Sequence, residues 1–398
     1  MEGFVTEWLS LIARWFHVVV AIAWIGESFY FVALDNGLRP AKDPATMPKG
    51  VFGEFWHVHG GGFYHMQKYT VAPPNMPEKL HWSFWPSYTT WLTGFTLFCI
   101  VYLASPNTYL IDKNVLDMGP VVAISSAVGF LVVGWVVYDS LCRLLSKRDT
   151  LLGLAVGVYV LLATYVACHV FSGRAAYLII GAMLATMMTS NVLMIIIPGQ
   201  RKMVAAMLRG EAPNPIYGKR GKQRSVHNTY VTLPVVFAML SNHYAMTYTH
   251  PYNWAILALI MLAGALIRQF FVMRHRDQTL WYLPLIGIAL ILGAFAWTFP
   301  QAMPAAQAPA AGAAPIKLAD IEPILAARCV QCHSAHPTLI GSAPAGVLLD
   351  TPDGISQNAQ RIFQQAVQLK AMPLGNVTHM TDEERAKLGA WFAAGAQR

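Results

Sequence analysis

Cys329-Val330-Gln331-Cys332-His333 decides how the last eighty or so residues are read. Two cysteines two residues apart, followed at once by histidine, form the attachment pattern of a c-type haem: both thiols join the macrocycle and the adjacent imidazole ligates the iron. A CxxC pair also suits a redox dithiol or half of a zinc site. The first wants a βαβ context and the second another ligand pair, and neither follows residue 317. Upstream, a helix from about Asp320 leads into Cys329. Downstream, an irregular Pro/Gly loop runs from Pro337 to Asp353. Thr381-Asp-Glu-Glu384 then reads as a capping box with acid in the first turn of a last helix, which shows Leu388, Trp391 and Phe392 at helical spacing.

Helix, haem loop and closing helix outline a small all-α class I cytochrome c over residues 317–398, with one covalent haem c on Cys329 and Cys332. His333 is the proximal iron ligand. Met372, in Lys370-Ala-Met372-Pro373, is preferred to Met380 as the sixth, because it lies on the loop before the last helix and Pro373 stiffens its approach. His336 and His379 read as surface residues. Seven basic and seven acidic side chains leave this unit formally neutral, and the covalent haem staples a globule too small for a large core.

Working outward, residues 301–316 form an Ala/Pro-rich linker, extended at roughly 3 Å per residue. The remaining 1–300 carry most of a composition that is 55% hydrophobic and 12% charged over 398 residues, too apolar for a water-soluble chain. Eight apolar runs of bilayer-spanning length lie near 8–34, 82–104, 119–145, 151–171, 174–198, 229–248, 253–273 and 279–300. The fold class expected is therefore all-α, an eight-span transmembrane helix bundle plus the cytochrome unit. Seventeen lysines and arginines fall in the connections 35–81, 143–150, 199–228 and 274–278; the alternate connections offer Lys113 and Arg174. That asymmetry makes the basic face cytoplasmic. The expected setting is a bacterial inner membrane, multi-pass, with the N-terminus and the cytochrome unit periplasmic. The net charge of +8 then sits at a membrane face, and no nucleic-acid partner is implied. Cys99, Cys142 and Cys168, in apolar runs, read as packed thiols.

Polar residues inside spans are costly and mark candidate sites. His17, His169 and His243 share the outer half of the bilayer, where imidazoles from two helices could ligate a b-type haem, with Arg14 beside a propionate. A lone intramembrane histidine is more often a hydrogen-bonded core residue; shared depth and a waiting acceptor outside favour the haem reading for His17. Nearer the cytoplasm Glu27, Asp139 and Arg268 lie at similar depth and read as a charge cluster. Trp56-His57-Val-His59-Gly-Gly-Gly-Phe-Tyr-His65 and Lys222-Gln-Arg224-Ser-Val-His227-Asn228 complete a cytoplasmic group. Histidine offers proton transfer near neutral pH and arginine pairs with anions, which suits a small, flat, anionic substrate. The candidate catalytic residues are His57, His59, His65, His227 and Glu27; Arg224, Trp56 and Trp82 are the candidate substrate contacts.

Arg14-Trp-Phe-His17, Trp24-Ile-Gly-Glu-Ser-Phe-Tyr30, the His57 to Tyr69 stretch, His81-Trp82, Tyr88-Thr-Thr-Trp-Leu-Thr-Gly94, Phe171-Ser-Gly-Arg174, Asn191, Ile197-Pro198, Arg224-Ser-Val-His-Asn228 and Ser241-Asn-His-Tyr244 together resemble the bacterial membrane-bound urate oxidase (urate hydroxylase) family, whose members join an eight-span domain to a cytochrome c. The resemblance covers the whole chain. It implies oxidation of urate to 5-hydroxyisourate, with electrons leaving through haem to a soluble cytochrome c or terminal oxidase. More distantly, His17 with Trp24 and Phe29-Tyr30 looks like the first helix of haem-binding membrane protoporphyrinogen oxidases. After His81-Trp82 the family pattern continues with a lysine and an acid; this chain has Phe84 and Pro86, so no catalytic role carries over there. A non-catalytic membrane-anchored conduit and an oxidase of quinol or porphyrinogen are the rival readings. The sequence leaves the oligomeric state open.

Overall fold

The computed structural model describes residues 2–41, 45, 47–69, 73–299 and 316–397. The expected linker lies, apart from Ile316, outside the described residues. The chain is mostly helical. An N-terminal helix, α1 (Glu2–Gly37), is followed by the strands β1 (Val51–His59) and β2 (Gly62–Tyr69), then by α2 (Trp85–Leu97), which continues through a wide turn at Phe98–Leu103, and the short α3 (Pro106–Tyr109). After these come α4 (Pro120–Leu144), α5 (Asp149–Val170), α6 (Gly173–Ser190), α7 (Ile197–Leu208), α8 (Pro215–Leu240), the short α9 (Ala245–Tyr248), α10 (Asn253–Arg274) and α11 (Tyr282–Thr298). Each expected apolar run overlaps one of the long helices. Among the described residues five helical stretches are long and apolar enough to cross a membrane: Trp8–Gly37, α4, α5, the combined Gly173–Leu208 and α10. The helix α11 is apolar but shorter.

At the centre stands α6. Ala175, Ala176, Tyr177, Ile179, Ile180, Met183 and Leu184 are all buried, while Trp8, Leu9, Leu11, Ile12, Trp15 and Phe16 on α1 are exposed. An apolar face of that size on the outside suits a lipid surround better than water. Small residues bring the helices close: a Cβ at Gly134 on α4 would meet Met183 Cγ at 2.4 Å, and one at Gly181 would meet the Ala238 Cβ on α8 at 2.8 Å. Pro198 has no N–H to give the preceding turn, and the six residues before α7, Asn191–Ile196, widen into a π-turn.

The two sets of connections gather at opposite ends. At the basic end, Asp35 pairs with Lys68 and with Lys222 (3.2 Å), Arg39 pairs with Asp277 (2.5 Å), and Gln223 donates to Asp149 (2.7 Å). At the far end, Ser172 donates to the Tyr109 carbonyl, Arg174 to Asn242, and Tyr177 to the Asn253 carbonyl.

One expectation is corrected. The fold is not wholly α, because β1 and β2 form an antiparallel hairpin. Gly60 and Gly61 both have positive φ, 58° and 80°, the requirement of the tight hairpin turn whose twist matches its strands. The flanking Phe-Trp-Val and Phe-Tyr-Met residues supply aromatic and β-branched strand formers.

In the C-terminal unit α12 (Leu318–Arg328), α13 (Pro352–Gln357), α14 (Ala359–Ile362) and α15 (Asp382–Ala393) surround a core that includes Ile321, Leu325, Ile355, Ile362, Leu388 and Trp391. The capping box forms: Thr381 Oγ1 accepts from Glu384 N at 3.2 Å and Glu384 Oε2 from Thr381 N at 2.8 Å. Glu384 also receives Arg328 Nε and Nη2 at 3.0 Å, tying α12 to α15 directly ahead of Cys329. Burial by itself raises the Glu384 carboxyl. The Arg328 hydrogen bonds, the Thr381 backbone N–H and the charges of Arg328 and Arg385 outweigh it, and the group ends below its ordinary value. Such a carboxyl contributes stability above its unfolded pKa and loses it as pH falls through the folded one. Thermal melts of this unit, followed by circular dichroism, should therefore weaken as pH drops below roughly 4. Glu384→Gln should start less stable at pH 7 and show a shallower acid-side decline. An equal decline in both would refute the assignment.

Candidate functional site

Toward the far end, α1, α2, α6 and the Ser241–His243 turn enclose a cavity of about 360 Å³, within the range of cofactor pockets. His17, His243, Arg14 and Arg174 all line it. His17 is held by its Nδ1, 3.0 Å from Thr93 Oγ1. The Thr93 hydroxyl spends its proton on the Thr89 carbonyl, 2.7 Å away, so it accepts from the imidazole. Nδ1 then carries the hydrogen and Nε2 keeps its lone pair, the tautomer an iron ligand needs. A side chain at residue 94 would spoil this, since a Cβ on Gly94 would lie 2.9 Å from His17 Cε1. These donors fit a haem with one imidazole on α1, a second beyond α8 and two arginines for its propionates. His169 does not join them: it is exposed on α5, bonded to the Tyr165 carbonyl (2.7 Å) and tilted against the Tyr165 ring.

A second cavity of about 290 Å³ shares Arg174, Asn242 and His243 with the first and is closed on its other side by Gln365 and Met372. The C-terminal unit therefore meets the bundle where His243 sits. The Leu374–Asn376 turn comes so near that a Cβ on Gly375 would lie 2.7 Å from the Ile111 carbonyl.

Within that unit Cys329 and Cys332 form no disulfide. Burial, then the neighbouring Cys332, pushes the Cys329 thiol up to about 12. The two cysteines sit on the turn that ends α12, where His333 N donates to the Cys329 carbonyl at 2.8 Å. His333 Nδ1 lies 3.1 Å from the Val347 carbonyl, which can only accept, so its Nε2 is again the free ligand nitrogen. Met380 is buried in the core, whereas Met372 is half-buried and faces the second cavity. Cys329, Cys332 and His333 are residues of the kind a covalent haem requires. Among the described residues no group of three or more His, Cys, Asp or Glu side chains is placed to hold a metal ion; a haem iron asks the protein for only two axial ligands.

At the basic end the expected charge cluster is sorted differently. Asp139 pairs with Arg224 (2.5 Å) and Arg143 (2.6 Å), not with Arg268. Arg224, 4% exposed, gives its other arm to Asn191 Oδ1 at 3.2 Å. Asn191 Nδ2 donates to Asn228 Oδ1 (2.8 Å) and to the Tyr138 oxygen (3.0 Å), which leaves the Tyr138 proton for His227 Nδ1, 2.9 Å away. Arg224 and His227 are thus brought together, but the guanidinium is spent on the protein. In this structure it holds that chain of hydrogen bonds together. Glu27 is half-buried on α1 and pairs with neither arginine.

The three hairpin histidines do not converge. Strand alternation puts His57 and His59 on one face, where His57 lies 5.8 Å from the Tyr30 ring. His65 falls on the other, bonded to Glu54 Oε2 (2.6 Å) and stacked on Trp56 at 4.1 Å. Trp56 is accordingly occupied and exposed, and Trp82 is half-buried ahead of α2. Lys68, next to Asp35, is drawn below its ordinary pKa by burial and by the Lys222 ammonium. Sequence reasoning missed Tyr138, Thr93 and Asn242 as members of these networks. Each is an uncharged polar residue in or beside an apolar run, a weaker signal than a charge.

Asp139→Asn should cost on the order of 3 kcal/mol, because it strands a buried guanidinium. Adding Arg224→Met should recover most of that in detergent-solubilised thermal melts; a double variant as unstable as the single would contradict the pairing.

No curated protein and no solved structure matches the chain. A family model described as urate oxidase N-terminal does, over residues 3–299. The match runs from the first turn of α1 to the end of α11 and takes in both the His17 cavity and the Arg224 network. This chain belongs to the urate oxidase N-terminal family.

Proposed function

We propose that this chain is a membrane oxidoreductase that converts urate and water to 5-hydroxyisourate, two protons and two electrons, and sends the electrons outward to a cytochrome c or terminal oxidase. The family match supports urate as the substrate. The observation that carries the path is the shared wall of the two cavities: Arg174, Asn242 and His243 border both, so the cavity of His17 leads to Met372. In this reading eight helices span the bilayer, the basic end faces the cytoplasm, and residues 317–398 form a periplasmic cytochrome.

Bound haem would supply one-electron acceptance, so that a two-electron oxidation proceeds in single steps. Everything else falls to side chains. His17 and His243 would hold a b-type group in the bundle; Cys329, Cys332, His333 and Met372 would hold the c-type group. Arg14 and Arg174 would neutralise propionates. A hydrocarbon core of about 30 Å is too thick for one transfer from the basic end, which is why a carrier site within the bundle matters. At the basic end His227, fed a hydrogen bond by Tyr138, and His57, beside Tyr30, are the imidazoles open to exchange a proton with the purine.

Urate added anaerobically to the purified chain should reduce its own haem, seen in the α-band; no reduction would favour a passive conduit. Pyridine haemochrome analysis should find b-type beside c-type haem, and c-type alone would sink the relay. Thr93→Val, which removes the side-chain acceptor of His17 and leaves the Thr90 backbone one, should weaken retention of the non-covalent haem about 10-fold and leave the c-type content unchanged.

A further inference from the structure

Three arginines are buried among the described residues: Arg224, Arg268 and Arg385. Arg224 is spent on Asp139 and Asn191. Arg385 donates to the carbonyls of Ala366 and Met372. Arg268, on α10 and 4% exposed, differs from both: its Nε and Nη2 have no hydrogen-bond partner. Its guanidinium carbon lies 3.9 Å from the centroid of the Phe29 ring on α1, and no carboxylate pairs with it. Apart from these two nitrogens, the one other buried side-chain atom left unpaired in the described residues is Ser356 Oγ.

A buried charged donor without an acceptor is expensive, and more so in an apolar bundle. A protein that only needed to fill this place would do better with a methionine or leucine. Nε and Nη2 form one edge of the planar fork, the edge that grips two neighbouring acceptors at once. Urate at neutral pH is a flat anion, and a carbonyl oxygen beside its deprotonated ring nitrogen offers that pair of acceptors. The Phe29 face holds the guanidinium plane by a cation–π contact and takes no hydrogen bond from its edge, so both buried donors stay unspent. On α8, Tyr230 donates to Gln269, the residue after Arg268, and stands one helical turn from His227, which carries the tyrosine-linked imidazole.

We infer that Arg268 is the anchor for the anionic edge of the purine, with Phe29 as its platform, and that the substrate lies between α1, α8 and α10. This rests on the urate reading above. It moves substrate recognition from Arg224, whose guanidinium is occupied, to an arginine that the sequence alone presents as part of a self-neutralising cluster.

The test is urate-driven haem reduction by the full-length holoprotein in nanodiscs, with thermal melts of the same samples. Arg268→Met should raise KM for urate about 10- to 100-fold with little change in kcat, and should melt no lower than wild type. Arg268→Lys should show a smaller rise, keeping the charge but not the fork. A purely structural arginine predicts the reverse pattern, a lowered melting temperature with KM unchanged, and that result would overturn the assignment. So would a KM rise accompanied by a lowered melting temperature. Wild-type protein that urate fails to reduce would remove the urate reading and this inference together. A responsive wild type beside an unaltered Arg268→Met would remove this inference alone.

Discussion

A charge placed inside an apolar helix bundle must find its partner there, and the Arg224–Asp139 pair shows how far that requirement reaches. The two side chains come from α8 and α4, and the second arm of Arg224 extends to Asn191 at the π-turn between α6 and α7. Three helices are fixed in rotation by one guanidinium. The π-turn itself follows from Pro198, which cannot donate to the turn before it. Asn191 then passes the constraint to Tyr138 and His227. Registry of the basic end therefore depends on polar geometry more than on the methionine- and alanine-rich packing around α6, which tolerates sliding that a bidentate contact does not.

Much of the architecture is legible in the chain itself. Apolar run length locates the long helices, because a hydrophobic segment of about twenty residues has few other ways to satisfy its backbone. The Thr381–Glu384 cap and the helix leading to Cys329 follow from local chemistry, and both form as the residues dictate. The hairpin was overlooked although Gly60-Gly61 between aromatic runs carries its signal; with three histidines at hand, the glycines read as room for a ligand rather than as a turn. The charge cluster failed for a different reason. Position along a span gives depth but not azimuth, so Glu27, Asp139 and Arg268 share a level while facing different neighbours. His169 shares the depth of His17 and His243 and points elsewhere for the same reason.

The far end illustrates how little is needed to prepare an imidazole. Thr93 and the Val347 carbonyl act on two unrelated histidines, one in a helix and one in a loop, yet each fixes the hydrogen on Nδ1. In the first case a side chain whose own proton is already committed to its helix shares the task with the Thr90 backbone; in the second the acceptor is backbone alone. Both imidazoles thus keep Nε2 free, and at both a backbone acceptor takes part that no substitution removes.

Among the contacts that fasten the hairpin to the bundle is one carboxylate, Asp35, facing the ammonium groups of both Lys68 and Lys222. One negative charge between two positive ones leaves the mouth of the basic end with a surplus of positive potential. An anion drifting toward it is drawn in over about a Debye length, roughly 8 Å in physiological salt, and its capture becomes a matter of encounter rate as well as fit. The same fastening thus makes ionic strength a control on how often an anion meets the basic end.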